Sequence, residues 1–146
     1  MEQAINHRTP LHLWLVGALS LLWNSIGGID YTLTRLRNMD YLTLVGDPAA
    51  ILAYVDAMPM YAQIGWGLGV WGALAGSVLL LMRSRYAVHA FAVSLAGALI
   101  SLGGQIFGPP IPGATEASKY MPLVIIALAA VQLWYALRVR KAGVLN

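Results

Sequence analysis

The sequence contains no cysteine, and charged residues make up only 10% of its 146 positions. Without cysteine the chain cannot form a disulfide, and it cannot supply a thiolate nucleophile or a cysteine-ligated zinc or iron–sulfur site. A soluble domain usually has about 25% charged residues. Hydrophobic residues reach 59%, so the composition excludes a disordered chain and argues against a water-soluble enzyme.

Motifs of the common enzyme classes are also missing. The sequence has no nucleophile elbow, no glycine-rich phosphate loop after a strand and no His-Glu-x-x-His zinc motif. No charged residue falls in the middle of the long apolar stretches, where a proton relay or an ion-coupled pump would need one. The net charge of +3 comes from only nine Lys and Arg residues, too few for a nucleic-acid-binding surface. We therefore expect a non-catalytic protein that does not bind nucleic acid.

Four stretches without Asp, Glu, Lys or Arg dominate the chain. They separate Arg8 from Asp30, Asp56 from Arg83, Arg85 from Glu116, and Lys119 from Arg138. A membrane-spanning helix needs about 20 apolar residues. The sequence thus predicts an all-α, integral membrane four-helix bundle in one domain, residues 1–146. The predicted spans cover about residues 11–29, 60–82, 86–107 and 120–137, and the third ends at the Gly/Pro-rich residues 108–113.

The loop between the first two spans, about residues 30–59, is the only sizeable polar segment. Residues 31–44 are predicted to continue the first helix, with Asp30 forming a local ion pair with Arg35 or Arg37. Asp47 and Pro48 are typical of a helix start, so residues 49–57 are predicted to form a second short helix on the membrane surface. There Leu52, Val55 and Met58 are expected to face lipid.

The distribution of cationic residues predicts the orientation. In an up-down topology, six of the nine lie on the side of the N terminus: Arg8, Arg83, Arg85, Arg138, Arg140 and Lys141. Because cytoplasmic loops carry the excess of Lys and Arg, we expect both termini in the cytoplasm.

Glycines at four-residue spacing mark the second and third spans. The second span contains the pairs Gly65/Gly69 and Gly72/Gly76, and the third contains Gly97. Small residues let helix backbones approach closely in lipid. The glycines are therefore expected to form helix-packing faces, either within the chain or against another one, with packing within the chain favoured.

Polar residues near the outer ends of the first three spans suggest a shared level in the membrane. The candidates are Asn24, Asp30, Tyr31, Gln63, Ser101 and Gln105. Because polar side chains facing lipid are costly, these groups should face one another. They would form either an outward-facing pocket for a small polar solute or, the favoured reading, hydrogen bonds that hold the bundle together.

Two histidines lie at matched depth near the inner ends of their helices, His12 and His89, and Gln132 lies on the same side. Histidine is a common ligand of haem iron and of other metals. A haem or a chlorophyll-type pigment is therefore a minor alternative, and no cofactor is predicted. The more ordinary expectation is a pair of interfacial histidines.

Three segments resemble a family of small four-helix inner-membrane proteins of proteobacteria, some of which carry the label "sugar transporter". The segments are residues 22–34 (LWNSIGGIDYTLT), residues 68–77 (LGVWGALAGS) with 79–85 (LLLMRSR), and residues 87–97 (AVHAFAVSLAG). The resemblance implies the same four-span topology and a location in the bacterial inner membrane. It implies no catalytic residues.

Two function classes follow. The favoured one is an accessory or assembly subunit that packs against a larger membrane complex. The other is a small-solute, sugar-type carrier or binder that acts as a homo-oligomer. In either case the lipid bilayer surrounds the chain, and the partner is a membrane protein or a second copy.

Overall fold

A computed structural model describes residues 8–107, 113 and 115–146, and every regular element in that part is helical. The helices are α1 Leu11–Arg35, α2 Met39–Val45, α3 Pro48–Ala57, α4 Met60–Leu81, α5 Ala87–Phe107, α6 Glu116–Lys119 and α7 Met121–Lys141. Four of them, α1, α4, α5 and α7, are long and apolar enough to cross a membrane. The predicted all-α fold with four membrane-spanning helices is therefore confirmed.

Each long helix packs on the next long helix in an antiparallel arrangement, α1 on α4, α4 on α5 and α5 on α7. The helices α1 and α7 are the outer members of this order, and their backbones hardly approach each other. We call the gap between them the α1–α7 seam. The end of the bundle that carries the α4–α5 turn is called the turn end, and the end that carries α2 and α3 is called the loop end.

Large apolar side chains cover the outside of the bundle. Leu19 is 66% exposed, and Leu22, Ile64 and Val131 are exposed as well. In water such a surface would drive association, whereas in a bilayer it meets lipid chains of the same polarity. The exposed faces therefore fit a multi-pass membrane protein.

The last helix is longer than the predicted span, because α7 continues to Lys141, and α1 extends past residue 29 to Arg35, within its predicted continuation. The expected continuous helix through residue 44 does not form. Arg37 adopts a left-handed backbone conformation with φ +54°, which a right-handed helix does not accommodate. Asn38 then starts α2, because its side chain accepts a hydrogen bond from the Tyr41 amide. The predicted helix end at residues 108–112 lies outside the described residues.

The short helices α2 and α3 pack against the protein as well as against each other. Asp47 caps α3 by accepting from the Ala49 amide, and Pro48 occupies the first turn, as the sequence predicts. Leu42 of α2 is fully buried and Val55 of α3 is 8% exposed. Val55 thus faces protein, where the sequence suggested lipid.

The turn end is closely packed. Phe91, Leu13 and Leu80 are almost completely buried in a cluster that also includes Tyr135 and Leu145. The chain after α7 seals this end, because the Arg85 amide donates to the Asn146 carbonyl and the Asn146 amide donates to the Arg83 carbonyl. The bundle is therefore solid at the turn end.

Candidate functional site

The α4–α5 interface brings all five packing glycines together within one chain. A Cβ added to Gly97 would lie 2.6 Å from the Gly65 carbonyl oxygen, and one added to Gly72 would lie 3.0 Å from the Ala90 carbonyl oxygen. Gly69 also faces the backbone of α5, and Gly76 faces the Phe91 ring. The two backbones are therefore too close for side chains at these positions.

This close approach lets a side chain bond to the neighbouring backbone. The Ser94 hydroxyl of α5 donates to the Gly69 carbonyl of α4 over 2.7 Å. Such a bond satisfies the hydroxyl away from water and fixes the register of the two helices.

Between mid-bundle and the loop end, the four long helices surround a pocket of about 380 Å³. This volume falls in the range of small-molecule sites, about 300–1,000 Å³. Most lining side chains are apolar, for example Val70, Ile125 and Leu128. The polar lining residues are Asn24, Asp30, Ser94, Ser101 and Gln132.

Asn24 joins three helices at the mid-bundle end of the pocket. Its amide nitrogen lies 2.8 Å from Ser77 Oγ, 3.1 Å from the Ala73 carbonyl oxygen and 3.4 Å from Gln132 Oε1. Ser77 in turn donates to the Ala73 carbonyl. The Asn24 side chain is buried, so this cluster links α1, α4 and α7 away from lipid.

Ser101 is the polar lining residue without a partner. It is 4% exposed, and its Oγ has no hydrogen-bond partner among the described residues. A buried polar group left unpaired costs about 1–3 kcal/mol. A ligand that exchanges a hydrogen bond with this hydroxyl would remove that cost.

Asp30 lies where the pocket approaches the loop end. It accepts a hydrogen bond from the Tyr41 hydroxyl of α2 over 2.6 Å. Burial, together with the bond to Asp30 and its negative charge, raises the pKa of Tyr41 to about 12, so Tyr41 remains a donor at neutral pH. The expected ion pair of Asp30 with an arginine does not form, because Arg37 pairs with Asp56 at 2.6 Å.

Tyr31 packs on α4 and does not line the pocket. Its ring meets Trp66 and Trp71 edge to face, with centroid distances of 4.7 and 6.2 Å. Edge-to-face contacts of this kind are favourable for aromatic pairs. Trp66, which does line the pocket, is thereby held in place.

The two remaining residues of the predicted polar level also lie apart from the pocket lining in the described structure. The side-chain oxygen of Gln63, Oε1, accepts a hydrogen bond from the Arg35 guanidinium over 2.9 Å, and its side-chain nitrogen, Nε2, donates to the Met58 carbonyl. Gln105 is half-buried near the end of α5. The structure thus places Asn24, Asp30 and Ser101 around the pocket and leaves Tyr31, Gln63 and Gln105 outside it.

The two histidines make separate contacts. His12 Nδ1 lies 2.6 Å from the Tyr135 hydroxyl, in a bond that joins α1 to α7. His89 is exposed and packs against Tyr86. Among the described residues, no group of three or more His, Cys, Asp or Glu side chains could hold a metal ion.

Sequence patterns do not predict the hydrogen bonds of Ser77 and Ser94, nor the position of Gln132 in the pocket lining. The sequence predicts Gln132 on the inner side, whereas in the structure its Oε1 lies 3.4 Å from the Asn24 amide nitrogen. The sequence signal was the predicted continuation of the first helix beyond residue 30, which moves Asn24 away from the helix end. In the structure α1 extends to Arg35, and Asn24 lies at its middle. A polar residue near the middle of α7 is therefore at the same depth.

Comparisons with protein-family models, with curated proteins and with solved structures find no match to this chain.

Proposed function

We propose that this protein binds a small and mostly apolar molecule with at least one hydrogen-bonding group, and that it acts as a carrier that moves this molecule. The observation that supports this proposal is the pocket of about 380 Å³ with the unpaired hydroxyl of Ser101 in its lining. Ligand sites are typically concave and mostly apolar, with a few polar groups that orient the ligand. The pocket has this character.

The lining favours an apolar ligand over a sugar. A sugar has many hydroxyl groups, and each needs a partner when it leaves water. The pocket offers few hydrogen-bonding groups, and the side chains of Asn24 and Ser94 already donate within the protein. A single chain supplies the whole lining, so this proposal does not require the homo-oligomer.

The second candidate is an accessory or assembly subunit that packs against a larger membrane complex. The glycine faces of α4 and α5 favour this hypothesis in the sequence, together with the lack of charged residues in the middle of the spans. Those faces contact each other, so they do not offer a free surface to a partner. A partner chain would instead bind the exposed apolar side chains elsewhere on the bundle.

Replacing Ser101 with alanine is expected to weaken ligand binding without destabilising the protein. The variant loses one hydrogen bond to the ligand, worth about 1 kcal/mol, or about fivefold in affinity. It also removes an unpaired buried hydroxyl, so the melting temperature should stay equal or rise. Native mass spectrometry of protein extracted gently from its membrane would measure the fraction that retains a small molecule.

The same spectra separate the two candidates. A small-molecule adduct on the wild type that is depleted in S101A supports the binder. Wild-type protein that carries other polypeptides and no small molecule would contradict the binder and support the accessory subunit.

We further propose that the protein lies in the bacterial inner membrane with the turn end in the cytoplasm. The turn end carries Arg83 and Arg85 in the connection and Arg138, Arg140 and Lys141 at the end of α7, and the positive-inside rule places such residues in the cytoplasm. The resemblance of residues 22–34, 68–77, 79–85 and 87–97 to the proteobacterial family agrees with this location.

A cysteine-labelling experiment tests the orientation, since the chain has no cysteine of its own. In intact spheroplasts, a membrane-impermeant maleimide is expected to label Thr43→Cys in α2 and to spare Ser84→Cys in the α4–α5 turn. Both positions should react after lysis. The reverse pattern before lysis would contradict the proposed orientation.

A further inference from the structure

Among the residues that the structure describes, side-chain hydrogen bonds join the α1–α7 seam at two levels. At the turn end the His12 ring bonds to Tyr135, and at mid-bundle Asn24 lies 3.4 Å from Gln132. From there to the loop end, no hydrogen bond or ion pair joins α1 to α7 in the described part of the chain. Both helices line the pocket over this half, so the pocket borders the seam.

Large apolar side chains form the edges of this open half. The pocket lining includes Trp23 and Ile26 of α1 and Met121 of α7. Their exposed fractions are 41% for Trp23, 58% for Ile26 and 47% for Met121. In a bilayer the outward-facing parts of Trp23 and Ile26 would meet hydrocarbon, because both lie within a helix that is long and apolar enough to cross it. A polar solute would not cross such an edge without losing its hydration.

Gly27 lies on the same stretch of α1 and leaves space there. It lines the pocket, and a Cβ added to it would meet nothing within 4 Å. Gly65, Gly69 and Gly72 of α4 face the backbone of α5, whereas Gly27 faces open volume. A side chain at this position would therefore extend into the pocket or the seam without displacing the helices.

Building on the proposed function, we infer that the α1–α7 seam is a lateral portal. Through it an amphiphile dissolved in the bilayer, with one hydrogen-bonding head and an apolar body, enters the pocket. The head bonds to Ser101, and the apolar body lies along Ile26 and Ile125 toward the seam. The alternative is that the same ligand enters from the aqueous phase at the loop end, beside Asp30.

Photolabelling of the protein in phosphatidylcholine vesicles tests both the pocket and the portal. The probes are a diazirine derivative of octanol, which dissolves in the bilayer, and a diazirine derivative of butanol, which is soluble in water. Mass spectrometry measures the initial rate at which each probe labels residues 23–30 and 121–132 after mixing.

Gly27→Leu and Gly104→Leu form a matched pair for the pocket. Both replace a helical glycine whose added Cβ would meet nothing within 4 Å, but only Gly27 lines the pocket. G27L is expected to lower labelling by both probes at least tenfold, and G104L is expected to leave it within twofold of the wild type. Unchanged labelling in G27L would overturn the portal together with the proposed function.

A cross-link across the seam distinguishes the two sources. In the double variant Ile26→Cys/Ile125→Cys, which carries the only thiols of the chain, a short bis-maleimide would close the seam. Closure is expected to slow octanol-probe labelling at least tenfold and butanol-probe labelling less than twofold, relative to the same variant with both thiols capped by N-methylmaleimide, which modifies the same two positions without joining α1 to α7. An unchanged octanol-probe rate, with G27L still inhibitory, would overturn the portal and leave the proposed function standing.

Discussion

Replacing Gly97 with alanine is expected to destabilise the folded bundle by about 3 kcal/mol, at the upper end of the range for overpacked cores. The added Cβ would lie 2.6 Å from both the Gly65 carbonyl oxygen and the Gly69 amide nitrogen. These are backbone atoms, so no side-chain rotation relieves the clash, and α4 and α5 must move apart. Helices in lipid associate through close packing, without a hydrophobic force between them. Separation therefore costs contacts along the whole interface.

Gly103→Ala is the matched control on the same helix. A Cβ at Gly103 would meet nothing within 4 Å, and alanine favours the helix over glycine by about 0.5–1 kcal/mol. Unfolding by sodium dodecyl sulfate in mixed micelles, followed by circular dichroism, is expected to show G97A less stable and G103A slightly more stable than the wild type. Equal stabilities of the two variants would contradict the close α4–α5 contact.

Replacing Gly76 with alanine is expected to cost about 2 kcal/mol, within the usual range for overpacking. Its Cβ would lie 2.7 Å from Cδ1 of the Phe91 ring. Phe91 is 1% exposed, so neighbouring side chains of the turn-end cluster prevent the ring from moving aside. In contrast to the Gly97 variant, the clash here involves a side chain that can be shortened.

Phe91→Leu therefore provides a compensating change. Alone it should destabilise the protein by about 1 kcal/mol, because it leaves a small cavity. Combined with Gly76→Ala it should restore part of the lost stability, with a coupling energy of at least about 1 kcal/mol in a double-mutant cycle measured by the same unfolding assay. Strictly additive effects would show that the two residues are not in contact.

The existence and number of the spanning helices follow from the sequence for a simple reason. A helix that crosses hydrocarbon must satisfy its backbone internally and present apolar side chains outward. The predicted spans therefore start within one residue of the observed helices, for example at Leu11 and Met60. The ends are less certain, because Arg35 and Lys141 lie in helices that continue past the last apolar residue into the polar boundary.

The loop between α1 and α4 shows where local reasoning succeeds and where it does not. The start of α3 at Asp47 and Pro48 is predictable, since capping depends on neighbouring residues only. The break at Arg37 is not, because nothing nearby requires a left-handed arginine. In the folded protein the Arg37 side chain pairs with Asp56 of α3, and the Tyr41 hydroxyl of α2 bonds to Asp30. These are contacts between separate elements.

The candidate site shows the same division. Asn24 and Ser101 stand out in the sequence as polar residues within apolar stretches, and both line the pocket. Their partners depend on how far each helix extends and how it is rotated. Asn24 therefore meets Ser77 and Gln132, while Gln63 bonds to Arg35 instead.

Composition and the length of the apolar stretches are enough to predict a membrane protein with four spans, and they identify the small and polar residues that lie between its helices. The glycine contact between α4 and α5, the close packing of the turn end and the pocket between mid-bundle and the loop end become visible only in the folded bundle. Those features depend on which helix faces pair. In lipid, where all apolar faces are similar in polarity, pairing is set by the fit of surfaces in three dimensions.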